Sequence, residues 1–274
     1  ASWVKIIRES ESFTYYGFYI AGKPITEANV DKLKEITGVS VPEGGELKYE
    51  KATKTLTMKN VTVKDLDGKI AFHNESVIDL KIDVQGNNLF STQNADALRF
   101  DASTTIKGDG QLTAKTSATH SGVYILENVT LTLENLTVDT DGRKGILGAG
   151  NKNGKLVVRN ATLHAKGSDG AIVLGSLKFE DSRITTPGAW WVSDKNAVMK
   201  DGIRATEVTI DPFYGFYIAG EAVTQQNVSK LNELTGVTVA GDGELKYEPS
   251  TKTLTMKNVT VKDLDGKLAF HNQG

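Results

Sequence analysis

Residues 131–138 read Leu-Thr-Leu-Glu-Asn-Leu-Thr-Val, and this eight-residue pattern returns with variations along the chain. Apolar residues occupy its first, third and last positions, and Asn or Asp occupies the fifth. The pattern occurs at Leu56, Leu131, Leu156, Leu177 and Leu254. Apolar residues at alternate positions are typical of a β-strand with one buried face. The pattern therefore predicts a strand that recurs along the chain and is interrupted at one fixed place.

The polar residue at the fifth position marks this interruption. It is Asn60, Asn135, Asn160, Asp181 and Asn258 in the successive copies. The apolar alternation changes parity directly after it. Asn and Asp adopt left-handed backbone conformations more readily than other non-glycine residues, and their short side chains bond to the backbone at bends. We therefore expect each one to form a corner in a continuous ribbon, and we expect the corners to stack as a ladder.

The spacing of the central copies indicates the fold class. Those at Leu131, Leu156 and Leu177 are 25 and then 21 residues apart, which suits one coil of a solenoid. Stacked coils satisfy the backbone by hydrogen bonds and align apolar side chains in columns. The prediction is an all-β parallel β-helix of about six coils. An antiparallel β-sandwich is the alternative, but an Asn at a fixed offset inside a strand favours a corner over a hairpin.

A second, longer repeat divides the chain. Tyr16 to Glu75 aligns without gaps with Tyr214 to Gln273, and 44 of the 60 positions are identical. We predict an N-terminal extension (1–15), a first lead-in segment (16–75), the β-helix coils (76–213) and a second lead-in segment (214–274) that starts a further module or caps the C-terminal end.

The second lead-in segment ends where the first continues into Val77 and Leu80. We therefore expect the native chain to run beyond Gly274 and to contact further modules of the same protein. The strand from Thr253 to Val261 should pair with a free sheet edge, either that of the last coil or that of a neighbouring molecule.

A short helix is predicted in each lead-in segment. Thr26 is a suitable N-cap, the apolar residues Val30, Leu33 and Ile36 follow at helical spacing, and Gly38 is a suitable terminator. The second segment keeps this pattern from Thr224 to Gly236. We expect each helix to cover the open end of a neighbouring sheet.

Composition excludes several classes of partner and site. The 274 residues carry a net charge of -2, which does not favour binding to nucleic acid or to an anionic membrane. The chain has no Cys, so disulfides, thiolate zinc sites and cysteine nucleophiles are excluded. It has no apolar run of membrane-spanning length, so no membrane span is predicted.

Asp139 and Asp141 are the candidate metal ligands. The stretch Asp139-Thr140-Asp141-Gly142 begins like a calcium-binding loop but lacks its later acidic ligands. Ca²⁺ is thus the one cofactor considered, and none is required. Parallel β-helices include polysaccharide lyases, in which acidic residues or Ca²⁺ act with a basic residue such as Arg143 here. The alternative interpretation is that both aspartates simply form turns.

Trp190 and Trp191 are the candidate ligand-binding residues, with Tyr124 as a more distant helper. An exposed indole stacks on the apolar face of a sugar ring, so the pair is a candidate glycan platform. The alternative is that the pair plugs the open core at the end of the solenoid.

No catalytic residue is assigned. His73, His120, His164 and His271 lack the spacing of metal ligands, and each is interpreted as a surface or corner residue. No nucleophile elbow, P-loop, dinucleotide fingerprint or zinc-protease helix is present. The sequence leaves enzymatic activity undecided and favours a protein without it.

Three stretches are similar to those of a known family: Tyr-Gly-Phe-Tyr-Ile-Ala-Gly at 16–22, Leu47-Lys48-Tyr49 with the strand from Thr53 to Met58, and the coil from Gly108 to Thr113. In these stretches the chain resembles the bacterial secreted and surface β-helix proteins described as carbohydrate-binding-domain-like, which are common in gut anaerobes. The resemblance implies a right-handed, single-stranded β-helix that is exported to the cell surface or secreted, with glycan binding in some relatives.

Three functional hypotheses follow. The leading one is a non-enzymatic, exported module that binds a polysaccharide or other glycan or serves as a spacer. The second is a Ca²⁺-assisted polysaccharide lyase or hydrolase acting near Asp139, Asp141 and Arg143. The third is a purely structural or adhesive protein without a ligand.

Overall fold

The alternating apolar residues form short strands that stack in parallel into a β-solenoid of about five turns. A computed structural model describes residues 13–117, 119–149, 153–262 and 265–273. Most of the predicted N-terminal extension lies outside the described residues.

The first lead-in segment supplies four strands before the winding begins. These are β1 (Tyr15–Ile20), β2 (Lys23–Thr26), β3 (Val39–Ser40) and β4 (Glu46–Glu50). Each of the five turns then consists of three strands. The turns are β5 (Thr55–Lys59), β6 (Thr62–Asp67) and β7 (Phe72–Asn74); β8 (Leu80–Gln85), β9 (Asn87–Gln93) and β10 (Leu98–Phe100); β11 (Thr104–Gly108), β12 (Gln111–Lys115) and β13 (Ser121–Ile125); β14 (Thr130–Glu134), β15 (Thr137–Gly142) and β16 (Lys144–Gly148); β17 (Lys155–Arg159), β18 (Thr162–Gly167) and β19 (Ile172–Val173).

Corresponding strands of successive turns pair in parallel and make three sheets. Sheet I contains the first strand of each turn, sheet II the second and sheet III the third. A sixth turn begins with β20 (Ser176–Glu180), which pairs in parallel with β17 in sheet I. The parallel pairing confirms the predicted β-helix and rules out the antiparallel sandwich.

The core consists of apolar columns that run along the solenoid. One column in sheet I places equivalent side chains of adjacent turns in direct register: Leu56, Ile82, Ile106, Leu133, Val158 and Phe179. The first five of these side chains are at most 1% exposed. The sequence pattern therefore identified the buried face correctly, because the side chains of a strand alternate between its two faces.

Four of the five predicted corner residues lie between strands of sheets I and II, whereas Asn258 lies within the strand Thr253–Val261 of the second lead-in segment. All five predicted corner residues have positive φ angles: Asn60 (56°), Asn135 (58°), Asn160 (42°), Asp181 (49°) and Asn258 (53°). The backbone N–H of Asn135 donates to the carbonyl of Arg159, and that of Asn160 donates to the carbonyl of Glu180. These bonds join the corners at Asn135, Asn160 and Asp181 in three successive turns.

Glycine replaces the polar residue at the corners of the second and third turns, which the pattern search missed. Gly86, with a φ of 59°, follows β8 directly. A Cβ atom at Gly86 would lie 2.2 Å from Oδ1 of Asn60. The Asn60 side chain therefore occupies the space that a side chain at position 86 would need, and it accepts a hydrogen bond from the N–H of Asn87 at 3.0 Å.

The first lead-in segment closes the N-terminal end of the solenoid with antiparallel strands. β1 pairs with β7, β3 with β6 and β4 with β5, so each sheet gains an antiparallel strand, and β2 extends sheet III by one more. Because their direction is reversed, these strands end the parallel stacking and protect the first turn from pairing with another chain.

The two predicted helices exist as short 3₁₀ helices, Val30–Glu35 and Val228–Glu233. The prediction that Thr26 is the N-cap is wrong, since the helix begins after Asn29. Oδ1 of Asn29 accepts a hydrogen bond from the N–H of Thr26 at 2.9 Å, which stabilises a turn before the helix. Leu33 is fully buried, so the helix does cover part of the core.

Antiparallel strands also end the C-terminal side. The remaining strands are β21 (Ser182–Ile184), β22 (Ala189–Val192), β23 (Ala197–Lys200), β24 (Ile203–Arg204), β25 (Glu207–Ile218), β26 (Glu221–Thr224), β27 (Val237–Glu248), β28 (Thr253–Val261) and β29 (Phe270–Asn272). β23 pairs with β19, and β25 pairs with both β18 and β21. The winding therefore stops after β20, with five complete turns where about six were expected.

The second lead-in segment repeats the fold of the first. β25 runs without a break across the predicted boundary at residue 214 and pairs with β26 and β29. β28 pairs with β27. Among the described residues no strand pairs with the other edge of β28, so the expected pairing with the last coil of the same chain does not occur.

Candidate functional site

An open cleft of about 590 Å³ lies where the last coil meets the second lead-in segment. β21, β22 and β25 form its walls. Its main side chains are Arg183, Trp190, Trp191, Phe213, Tyr217 and Gln273.

The guanidinium group of Arg183 lies over two aromatic rings. It is 5.3 Å from the ring centroid of Phe213 and 5.5 Å from that of Tyr217. Its Nη1 donates a hydrogen bond to Oη of Tyr217 at 2.9 Å, and this hydroxyl donates to Oε1 of Gln273 at 3.0 Å. Within the described part of the chain Arg183 forms no ion pair. Asp181 also lines the cleft but forms no ion pair with Arg183, so the guanidinium has no carboxylate partner in the described part of the chain.

The two tryptophans do not form one platform. They are consecutive residues of β22, so their side chains point to opposite faces of the strand. Trp191 packs against the solenoid core, whereas Trp190 is 52% exposed. Trp191 is thus partly buried against the core, and Trp190 is the more exposed indole of the pair.

The combination of groups suits an acidic sugar. An exposed indole stacks on the apolar face of a pyranose ring. An arginine held over aromatic rings keeps several N–H donors for a carboxylate or sulfate, and its fork matches the geometry of such a group. Trp190 and Arg183 line the same cleft, so one sugar chain can meet both.

Tyr124 lies outside this cleft. It belongs to β13, and three strands separate β13 from β22 within sheet III. At about 4.8 Å per strand, the separation is roughly 19 Å. The guanidinium of Arg99 lies 4.9 Å from the Tyr124 ring centroid and also bonds to Asp101 at 2.9 Å. Tyr124 is therefore part of an ordered surface row, and a ligand bound at Trp190 would need to be long to reach it.

Asp139 lies on the outer surface of sheet II. Its carboxylate accepts hydrogen bonds from Nε2 of Gln111 and pairs with Nδ1 of His164 at 2.8 Å. These partners come from the turns on either side, because Asp139 is in register with His164. Asp139 thus has local partners that tie three turns together.

Asp141 lies two residues further along the same face, between two lysines in register, Lys115 and Lys166. Lys166 also forms an ion pair with Glu207 at 2.7 Å. The hydrogen bond from Lys166 lowers the pKa of Glu207, and the same contact raises the pKa of Lys166. These residues line a second, smaller groove of about 280 Å³ whose charges are mixed in sign.

Glu207 lines the same groove as the candidate calcium ligands Asp139 and Asp141, but its carboxylate is paired with Lys166. Across the described residues, no group of three or more His, Asp or Glu side chains is arranged to hold a metal ion. The two lysines beside Asp141 add positive charge where a cation would have to bind.

Sequence reasoning did not predict that Arg183, Phe213 and Tyr217 come together in one site. The alternation in Tyr-Gly-Phe-Tyr-Ile places Tyr217 on the face of the strand opposite Phe216 and Ile218, and this is the only sequence signal for it. Arg183 and Phe213 are far apart in sequence and meet because β25 pairs antiparallel with β21.

Comparisons with known proteins give no match: no family model, no curated protein and no solved structure resembles this chain closely enough to be reported. The resemblance to carbohydrate-binding-domain-like proteins therefore stays a prediction. Separately, no helix in the described ranges has the length and apolar character needed to cross a membrane.

Proposed function

We propose that this protein is a glycan-binding β-helix module that binds an acidic polysaccharide in the cleft between β21, β22 and β25. The observation that carries the proposal is the joint presence of the half-exposed Trp190 indole and the Arg183 guanidinium in one cleft. Within the described chain Arg183 lacks a carboxylate partner, so it is suited to accept one from a ligand.

The shape of the cleft favours binding along a polymer chain. It is open to solvent at the end of the solenoid, and the rigid strands of sheets II and III hold its walls. A site built on paired strands keeps its geometry before the ligand arrives, which reduces the entropic cost of binding. For location we propose the secreted or cell-surface compartment, on the basis of the sequence resemblance.

The proposal is tested by affinity gel electrophoresis with polygalacturonate, alginate and neutral xylan. We expect retardation by an acidic polymer and a loss of it in the Trp190→Ala variant. Ile203→Ala is the matched control, because Ile203 is an apolar side chain that is 71% exposed and lies outside the cleft.

The same samples separate binding from catalysis. Unsaturated uronic products formed in the presence of Ca²⁺ would favour the lyase hypothesis. If none of the acidic polymers retards the wild-type protein, the glycan-binding proposal is wrong.

A further inference from the structure

The turn between β1 and β2 recurs with the same shape between β25 and β26. It consists of Ala and Gly, with φ angles of 52° and 72° in the first lead-in segment and 53° and 74° in the second. The residue that follows the turn is Lys23 in the first segment and Glu221 in the second. Each pairs with the isoleucine on the other side of the turn. Lys23 and Glu221 therefore lie at the same place on the same backbone, and their charges are opposite.

A lysine side chain lies across this turn in both segments. A Cβ atom at Gly22 would lie 3.1 Å from Cβ, Cγ and Cδ of Lys69, so the stem of Lys69 packs on the glycine. Lys267 packs on Gly220 in the same way. In the second segment the ammonium group of Lys267 forms an ion pair with Glu221 at 3.3 Å. A lysine in this position therefore reaches the side chain that follows the turn.

The first segment keeps this lysine but has no carboxylate directly after the turn. Lys23 and Lys69 line one cavity of about 580 Å³ together with a third lysine, Lys32 of the 3₁₀ helix. Glu35 is the acidic side chain among the described residues that line this cavity. None of these four side chains forms an ion pair with any described residue. Three lysines against one glutamate leave the cavity with an excess of positive charge that has no partner in the described part of the chain.

This excess charge indicates what kind of ligand the cavity suits. Two ammonium groups beside one turn repel each other, whereas an ammonium group and a carboxylate attract. A bound anion would supply in the first segment the attraction that Glu221 supplies in the second. Ammonium groups donate hydrogen bonds and accept none, so the matching ligand carries oxygen acceptors. Lysine binds phosphate as a point charge, and a phosphate or sulfate group presents oxygens in several directions at once.

We infer that this cavity, the lysine cavity, binds a phosphate or sulfate group between Lys23, Lys32 and Lys69. The group belongs either to a free ion or to a sugar ester, because the lysines recognise only its charged oxygens. The lysine cavity is formed by the first lead-in segment, whereas the cleft with Arg183 lies where the last coil meets the second. The inference therefore does not depend on glycan binding at Trp190.

The test follows the backbone amide signals of the full chain by NMR while inorganic phosphate, inorganic sulfate or glucose 6-phosphate is added at low salt. We expect saturable shifts at residues 21–23 and at Lys69, and weaker binding when salt is added. Tighter binding of glucose 6-phosphate than of inorganic phosphate would identify an ester as the ligand, and the reverse order a free ion. Arg183→Gln should leave these shifts unchanged, which separates the lysine cavity from the cleft.

Lys23→Glu introduces the residue that the second segment carries at the same place, so it keeps a turn that already folds there. It should give Lys69 the partner that Lys267 has, and weaken the binding of each probe at least about tenfold. Lys48→Glu is the matched control, because it makes the same change of net charge in β4, where Lys48 is exposed and lies outside the cavity. It should change the affinity less than about twofold. An equal loss in both variants overturns the inference.

The reciprocal variant Glu221→Lys tests for a gain of binding. It should produce a second set of saturable shifts at residues 219–221 and at Lys267, since Lys230 already stands at the position equivalent to Lys32. A second set that appears only in this variant supports the inference. If the wild type shows no saturable shift around Gly22, or Glu221→Lys gains none at its own turn, the three lysines do not form an anion site and the inference is wrong.

Discussion

Nδ2 of Asn160 donates a hydrogen bond to Oδ1 of Asn135 at 2.8 Å, which joins the corners of two successive turns. Both residues have positive φ angles, so each side chain serves a corner that most residue types would strain. The ladder combines a backbone preference with a side-chain bond between turns.

Replacing Asn160 should therefore destabilise the solenoid. Asn160→Ala loses the amide bond and forces alanine to adopt a φ of 42°, so we expect a loss of about 2 kcal/mol in the free energy of unfolding. Asn160→Gly should cost less, because glycine adopts positive φ freely. Chemical denaturation measures both. Asn153→Ala is the control, since it loses a similar amide bond to Glu127 on the surface without a positive φ. Equal losses at 153 and 160 would contradict the conformational explanation.

Gly86→Ala should be more destabilising than Gly68→Ala. Both glycines have positive φ angles, 59° and 65°, so each substitution costs about 1 kcal/mol in backbone strain. Only at position 86 does the new Cβ meet another atom, Oδ1 of Asn60, whereas nothing lies within 4 Å at position 68. We expect a further loss of about 1 to 3 kcal/mol there. Adding Asn60→Gly should restore part of it in a double-mutant cycle, and strict additivity would refute the steric account.

Asp169→Asn should lower stability at neutral pH and have no effect in acid. Asp169 pairs with Lys144, whose side chain is only 9% exposed, and with Arg143 and Arg204. The hydrogen bond from Lys144 lowers the pKa of Asp169. The stabilisation is therefore complete above the ordinary carboxyl pKa and is lost as the pH falls through the lowered pKa of the folded state.

We expect a loss of about 1 kcal/mol at neutral pH, a small value because Asp169 is partly exposed and screened by solvent. The difference from wild type should shrink below about pH 4. Asp194→Asn is the control, since Asp194 is 74% exposed and 3.9 Å from Lys195. An effect of Asp169→Asn that does not change between pH 7 and pH 3 would contradict the ion-pair explanation.

Asp96→Asn should have the opposite effect on stability at neutral pH from that of Asp169→Asn. Burial raises the pKa of Asp96, although the N–H of Ser121 donates to its Oδ1 at 2.8 Å. The ionised form thus weakens the folded state at pH values above the raised pKa. This penalty decreases as the pH falls through the raised pKa and is gone below the ordinary carboxyl pKa of the unfolded chain. Asn keeps the carbonyl acceptor without the charge, so the variant should be at least as stable as wild type at pH 7 and lose any advantage in acid. Thermal unfolding of the variant and the wild type, from acid to pH 7, measures this difference in stability. Asp109→Asn is the control, because Asp109 is exposed.

Arg183→Gln should change the ligand preference of the cleft. Within the described part of the chain, the Arg183 guanidinium is a positive charge of the cleft that has no carboxylate partner. We therefore expect the variant to bind an acidic glycan at least about tenfold more weakly. Binding to a neutral glycan that uses Trp190 should change little. Titration calorimetry at two salt concentrations checks this, because the wild-type affinity for the acidic glycan should fall with salt more steeply than that of the variant. The same loss for acidic and neutral glycans would show that Arg183 only supports the fold.

The fold could be predicted because its rules act over short stretches. Alternating Leu131 and Leu133 define a buried face, and Asn135 two residues later marks a bend, whatever the rest of the chain does. The glycine corners escaped the pattern because glycine reaches positive φ without a polar side chain, as at Gly86.

The cleft could be predicted only in part. Trp190 was a candidate from its residue type alone. That Trp191 points the opposite way became clear only when both residues were placed in one strand, β22. Arg183 joins Phe213 and Tyr217 only because β25 pairs antiparallel with β21 after the winding stops. Nothing in the local sequence marks where a solenoid stops winding.

The sequence by itself determined the strands, the corners and the duplication, since these depend on side-chain alternation and backbone preference within a few residues. Only the tertiary structure decided which surfaces are buried. Met58 and Met256 lie in identical local sequences, and one is covered while the other is exposed, because burial depends on the neighbouring turn that packs against a strand.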